Sequence, residues 1–304
     1  MSEEINYEDI PLNVVVDDDA FKDGEQVPDS IVYGADNGRS KSTTLPEDFS
    51  RPLAVPVFSQ GSIGSCVGAS GKVVVTDRHY PKLDLSALWI YKEAKKNDSW
   101  KGENYSGTSI SGACKALINS GVCQEKFFPY VANENATPKE GALQDASTRK
   151  FLKYYIMNLS EVDKLKRLII QETLWTSFHV HKEFYTTNYT GMMKNEAGYL
   201  STPRAGGHAV AMVGWKTVGG KLFWKFQNSW GKYWGDQGHF YISNELYQKI
   251  SKGVFFVDSA TEGPTDPNIV PQSKRDKGII SQFLEFPIMI IKKIIGAITG
   301  IFKR

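Results

Sequence analysis

Four residues in this chain have the types and setting for nucleophilic attack on a carbonyl carbon. Cys66 closes QGSIGSC and opens CVGASGKVVVTDRHY, which reads as a helix, despite its valines, ended by Pro81. At a helix N-terminus, backbone N–H groups and the dipole favour the thiolate. Gln60, six residues upstream, can aim its amide at the point faced by the Cys66 N–H, where an oxyanion would form. His208 opens the apolar run HAVAMVGW after two glycines, and Asn228 ends KLFWKFQN. Pairing of these runs through the short Val218-Gly219-Gly220 turn would bring imidazole and amide together. Asn228 then holds the ring tautomer without adding charge, and Trp230 can shield that bond from water. Nucleophile, base, orienting group and oxyanion donor are all represented.

The elements that must position these groups follow from capping and periodicity. Ser86 is a good N-cap for ALWIYKEAKK, and Ser109 for ISGACKALINS, which Gly121 stops. Ile110, Ala113, Cys114, Leu117 and Ile118 share one face of that helix. Ser160-Glu161-Val162-Asp163 has the form of a capping box before KLKRLIIQ. Beyond it the period changes to two, and LWTSFHVHKEF, HAVAMVGW, KLFWKFQN and GHFYIS read as strands. The first half of the domain is therefore expected to be helical and the second mainly β.

On these residues the sequence resembles the papain-like cysteine peptidases. Gln60 to Cys66 repeats the family's Gln-Gly-Ser-x-Gly-Ser-Cys. His208 to Val210 repeats its His-Ala-Val, and Asn228 to Gly235 its Asn-Ser-Trp-Gly-x-x-Trp-Gly. The similarity runs from about Leu45 to Val257, in the version common in bacteria and some viruses. It implies an α+β, two-lobe fold, with a helical lobe carrying the nucleophile, a β-barrel lobe carrying His and Asn, and a cleft between them. It also implies a cysteine-type endopeptidase acting through a thioester, with Cys66 attacking, His208 as base and acid, Asn228 orienting and Gln60 on the oxyanion. Ser106 and Gly107 fall where the family pairs substrate backbone, and Gly207 and Trp230 join them as expected substrate-contacting residues. No cofactor and no metal are implied. Two other uses of the constellation stay open: a papain-shaped interaction module without activity, and an acyltransferase. The chain departs from the family in having Val67 after the nucleophile, Ile63 where a disulfide-forming cysteine often stands, and Gly207 where an acidic residue often precedes the histidine.

Composition bounds the rest. Hydrophobic residues make up 41% and charged residues 23%, ordinary for a globular protein, and the formal net charge of +2 gives no reason to expect a nucleic-acid partner. Three cysteines cannot pair completely, which points to a reducing compartment such as cytoplasm or a virus particle. The opening MSEEINYEDIPLN lacks the basic and apolar regions of a secretory leader. Cys114 and Cys123 read as core thiols, and His179 and His181 as structural histidines without a supporting ligand set. Residues 1–44 hold most of the acidic excess and read as an arm or pro-segment. The peptidase domain is expected over 45–260, its helical lobe over about 45–155 and its β lobe over about 156–260. A linker over 261–277 and a tail over 278–304 follow.

The tail segregates its residues. Around a helix, Ile290, Ile291, Ile294, Ile295, Ile298, Ile301 and Phe302 share one half-circle, opposite Lys292, Lys293, Lys303 and Arg304. This cationic amphipathic pattern suits an anionic membrane surface or the apolar groove of a partner. Each buried large apolar side chain contributes about 1.5–3 kcal/mol before ordering costs, and each basic residue near an anionic surface roughly 1 kcal/mol. A truncation ending near Ser273 is expected to keep its fold and its peptide cleavage but to lose co-sedimentation with anionic liposomes. Unfolding on truncation, with liposomes ignored by the full chain, would place the tail in the fold instead.

Overall fold

The computed structural model describes residues 12, 14, 25–28, 32, 44–99 and 105–259. The linker and tail expected over 261–304, and most of the N-terminal arm, lie outside the described residues. In chain order come β1 (Glu25–Gln26), β2 (Phe49–Ser50), α1 (Cys66–His79), α2 (Ala87–Asn97), α3 (Ile110–Asn119), α4 (Ala142–Ser147) and β3 (Phe151–Met157). Then follow α5 (Val162–Gln171), β4 (Leu174–His181), β5 (Arg204–Val218), β6 (Lys221–Gln227), β7 (His239–Ser243), α6 (Asn244–Ile250) and β8 (Ser251–Ser259). Helices thus dominate before residue 150 and strands after it.

Serine caps set the starts of α2, α3 and α6. Ser86 Oγ accepts the Trp89 N–H at 3.0 Å, and Ser109 Oγ the Gly112 N–H at 3.0 Å, as the sequence predicts. The capping box expected at Ser160 does not form. Helix α5 starts at Val162, so Glu161 takes the cap position without a side-chain cap bond and pairs with Lys164 at 3.3 Å. Helix α1 is buried almost all round, Lys72 excepted within Cys66–Thr76. Enclosure explains its tolerance of Val73, Val74 and Val75, since packing outweighs propensity differences of a few tenths of a kcal/mol.

The sheet runs β1-β3-β8-β4-β5-β6-β7, with β2 on β5. The four strands expected from alternation are β4 to β7. Strands β1 and β2, two residues each, are too short for any periodic signal, and β1 pairs parallel to β3 at Glu25 opposite Tyr155. Strands β3 and β8 also went unanticipated, because long buried runs such as Val254 to Val257 do not alternate. The hairpin β5–β6 turns on Gly219 and Gly220, both with positive φ (58° and 77°), a two-residue turn that matches strand twist.

Strand β5 separates two apolar cores. Ala209, Ala211 and Val213 face a cluster built on α1 to α3, whereas Val210 and Met212 face the interior formed with Phe178, Trp224, Phe226 and Phe240. This is the period of two expected of a strand buried on both sides. A register shift between Met212 and Gly214 reverses the alternation, so Trp215 joins the second core. Tyr154, Tyr155, Trp224, Cys114 and Cys123 are buried, as their sequence settings suggest.

Close approach of α1 and α2 depends on Gly68. A Cβ there would lie 2.2 Å from the Ala87 carbonyl oxygen and 2.8 Å from Tyr91 Cβ. Gly68→Ala should therefore force the helices apart and destabilise the fold by about 1–3 kcal/mol. The urea midpoint measures this, and an unchanged midpoint would contradict the packing.

Candidate active site

Helix α1 begins at Cys66 itself, and the side chain of Ser65 at the cap position makes no cap bond to the helix. Strand β5 carries His208, and Asn228 follows the last residue of β6. The pairing of Ala211 with Gln227 brings the two together, and His208 Nε2 lies 2.7 Å from Asn228 Oδ1. The Trp230 ring sits over the imidazole at 5.0 Å between centroids, and Trp230 is 1% exposed, which keeps water from that bond. Asn228 Oδ1 also accepts the Ser229 N–H at 2.8 Å, which orients the amide so that its oxygen faces the ring. The other imidazole nitrogen, Nδ1, is buried and has no hydrogen-bond partner among the described residues. The backbone N–H of Ala209, next to His208, faces the Cys66 sulfur, as do those of Val67 and Cys66.

Gln60 is fully buried below this pair. Its Oε1 accepts from Ser229 Oγ at 2.6 Å, and its Nε2 donates to the Ile63 carbonyl at 2.9 Å. An amide nitrogen carries two hydrogens, so one remains for a developing oxyanion. Thus Cys66, His208, Asn228, Gln60 and Trp230 converge. Ser106 and Gly107 form a wall against the nucleophile loop, where Ser106 Oγ accepts the Gly64 N–H at 2.7 Å. The Gly107 N–H donates inward, to Tyr91 Oη at 2.9 Å.

Gly207 has company that sequence reasoning missed. Its N–H donates to the Leu12 carbonyl at 2.9 Å, and its carbonyl accepts the Val14 N–H at 3.2 Å. A Cβ on Gly206 would lie 2.1 Å from the same Leu12 oxygen, so this pairing needs a bare backbone. Val14 packs in one apolar cluster with Ile63, Cys66 and Val67. The signal in the sequence is the largely apolar run from Ile10 to Val16 within an acidic arm.

With this geometry in view, comparison with known proteins is direct. Residues 48–256 match the profile of the papain family cysteine proteases, and the chain belongs to that family. It is 27% identical over 218 residues to Peptidase 1 of Euroglyphus maynei, covering 67% of this chain and 63% of that protein. It is 28% identical over 189 residues to a cathepsin L-like proteinase of Fasciola hepatica, covering 60% and 55%. The chain therefore spans less than two thirds of the length of these relatives. Among solved structures its fold is similar to xylellain, a cysteine protease from Xylella fastidiosa, with a TM-score of 0.67 and 22% identity over 83% of this chain and 97% of that one. It is also similar to procathepsin B S9 from Trypanosoma congolense, with a TM-score of 0.64 and 19% identity over 84% and 88%. The papain-like α+β fold expected from the motifs is the one observed.

Electrostatics in this arrangement run against the sequence-based expectation for the thiol. Burial pushes Cys66 up to about 11, despite the N–H groups of Ala209, Val67 and Cys66. Burial likewise holds His208 down to about 4, despite its bond to Asn228. Both groups are 0% exposed, and for each taken singly loss of water outweighs the hydrogen bonds that favour its charged form. Below the ordinary histidine value of 6.5 and down to about 4, an opened site takes up a proton on His208 that the closed site refuses. Falling pH therefore shifts the balance toward the open site, because that state binds more protons. Alkylation of Cys66 by iodoacetamide in the full chain should accordingly slow less steeply between about pH 7.5 and about pH 5 than that of a free thiol, because opening offsets part of the lost thiolate. Peptide mapping by mass spectrometry reads this, with buried Cys114 and Cys123 as references. A Cys66 rate that declines on acidification like a free thiol would break the link between burial and protonation.

Proposed function

We propose that this chain is a cysteine-type endopeptidase that hydrolyses polypeptides through a thioester acyl-enzyme. The observation that carries the reading is the imidazole of His208. One nitrogen is fixed by Asn228 at 2.7 Å, while the other is buried and unpartnered in a site where the neighbouring backbone N–H faces the Cys66 sulfur. A ring held this way can share a proton with the thiol and with little else.

In the proposed reaction, a polypeptide displaces Leu12 and Val14 from Gly207 and lies along the wall at Ser106 and Gly107. His208 takes the Cys66 proton and the sulfur attacks the scissile carbonyl. The oxyanion is met by the Cys66 N–H and the free hydrogen of the Gln60 amide. His208 then protonates the leaving amine, and the thioester forms. Water, deprotonated by the same imidazole, attacks the thioester and releases the acid. Asn228 keeps the imidazole in one tautomer throughout and stabilises its charged form through Oδ1, so its part is orientation. Membership of a protease family and the retention of all four polar groups support hydrolysis over a silent binding role.

Assays near pH 5, where the closed site is disfavoured, test this. Cys66→Ala and His208→Ala are expected to abolish cleavage of a denatured polypeptide, and Asn228→Ala to leave a measurable remnant. Gln60→Ala should slow turnover by roughly 10²-fold, the scale of one lost oxyanion donor. Wild-type turnover in Cys66→Ala or His208→Ala would overturn the mechanism, and amide products formed with added amine would reassign the enzyme to acyl transfer.

A further inference from the structure

Beside the reacting groups, one carboxylate gathers both walls of the nucleophile loop. Glu134 lies in the segment after Tyr130, and its Oε1 accepts from Tyr91 Oη at 2.7 Å and from Ser106 Oγ at 2.7 Å. Its Oε2 is inaccessible to solvent and stands 3.7 Å from Lys95 Nζ, whose side chain is almost wholly buried. Lys92 Nζ donates to the Glu134 carbonyl at 2.8 Å, which holds the backbone of that segment to α2.

The direction of these bonds matters. A carboxylate only accepts, so both hydroxyls must donate to it and turn their lone pairs outward. Burial pushes the Tyr91 phenol well above its ordinary range, which keeps that proton in place. The Tyr91 lone pair then receives the Gly107 N–H at 2.9 Å, and the Ser106 lone pair receives the Gly64 N–H at 2.7 Å. Gly64 is bare where it meets this wall, since a Cβ there would lie 2.8 Å from Ser106 Oγ and 2.9 Å from the Gly107 nitrogen. One charge therefore sets the polarity of two bonds that fix Ser106 and Gly107 against the loop leading to Cys66.

The nucleophile loop has separate supports. Tyr130 Oη donates to the Gln60 carbonyl at 2.7 Å and lies 2.5 Å from Ser65 Oγ, while Gln60 is tied to Ile63 and Ser229. Removal of the Glu134 carboxylate frees the wall more than it frees Cys66.

We propose that Glu134 is a positioning residue for substrate binding: through Tyr91 and Ser106 it holds the Ser106–Gly107 wall at the spacing an extended polypeptide requires, and it governs KM while leaving the chemical step alone. This rests on the peptidase reading above. Charge-assisted bonds are the stronger ones, and interactions made equally in ground and transition states appear in KM.

The test compares the full-length wild type with Glu134→Gln, Glu134→Ala and Tyr91→Phe at one pH, on a peptide substrate long enough to span the wall. Three readouts are taken: KM, kcat, and the alkylation rate of Cys66 by iodoacetamide, a reagent too small to need the wall. Glu134→Ala and Tyr91→Phe are expected to raise KM about tenfold, with kcat and alkylation within about twofold of wild type, the scale of one or two lost hydrogen bonds. Glu134→Gln keeps an acceptor at Oε1 and should recover most of the loss. Unchanged KM in the folded variants overturns the proposal. A matching fall in kcat and alkylation also overturns it, because the network would then be holding Cys66 itself. Loss of folding in all three variants assigns Glu134 to the fold and overturns it too. Absence of peptide cleavage by the wild type, with Cys66 still alkylated, would count against the peptidase reading and is told apart by that control.

Discussion

Where α1 crosses β4, the indole of Trp175 donates to Ser70 Oγ at 2.7 Å, and the same hydroxyl donates to the Cys66 carbonyl at 2.7 Å. The indole fits because Gly71 offers no side chain, and a Cβ there would sit 2.7 Å from its ring carbons. This short chain of bonds fixes the first turn of the helix that Cys66 opens to the sheet. Next to it, Ala209 and Ala211 on β5 leave room for α1 to pack closely, and the Ala209 N–H faces the sulfur. The helices and the sheet interior form two apolar clusters, and Cys66 and His208 stand on the helix and strand where these meet. Small residues along that seam are what allow a thiol on one element and an imidazole on another to share a site.

The same close packing governs the charge state. A helix terminus and three N–H groups work toward the thiolate, but they act on a sulfur with no access to water. Loss of water raises the thiol and lowers the imidazole, each against the hydrogen bonds that favour its charged form. Leu12 and Val14 occupy both backbone groups of Gly207, and Val14 adds apolar surface beside Cys66.

Two departures from the family pattern acquire a physical sense here. Ile63, where a disulfide-forming cysteine often stands, is buried in the cluster that includes Cys66, and its carbonyl receives the Gln60 amide. The loop is thus secured by apolar packing and hydrogen bonds, and Cys66, Cys114 and Cys123 are all free thiols. Gly207 presents an uncharged backbone edge where many relatives have an acid, and that edge is what Leu12 and Val14 engage.

Local chemistry was readable without coordinates. The serine caps at Ser86 and Ser109, the glycine turn after Val218, the alternation in β4 to β7, and the motifs around Gln60, Cys66, His208 and Asn228 are properties of contiguous residues, fixed by bonds and torsions over a few positions. The hairpin brings the end of β6 beside β5, and the register shift between Met212 and Gly214, which the sequence did not reveal, sets the final pairing of Ala211 with Gln227. Strands β1 and β2 were not readable, since two-residue elements exist only through the strands they join. Nor was the place of Leu12 and Val14 on Gly207, a pairing across nearly two hundred residues, or the convergence of Tyr91, Ser106 and Glu134 from three segments. The opposite shifts of Cys66 and His208 belong with these. A helix terminus can be read from sequence, but exclusion of water is a sum over every element that packs around the site, and only the tertiary structure performs that sum.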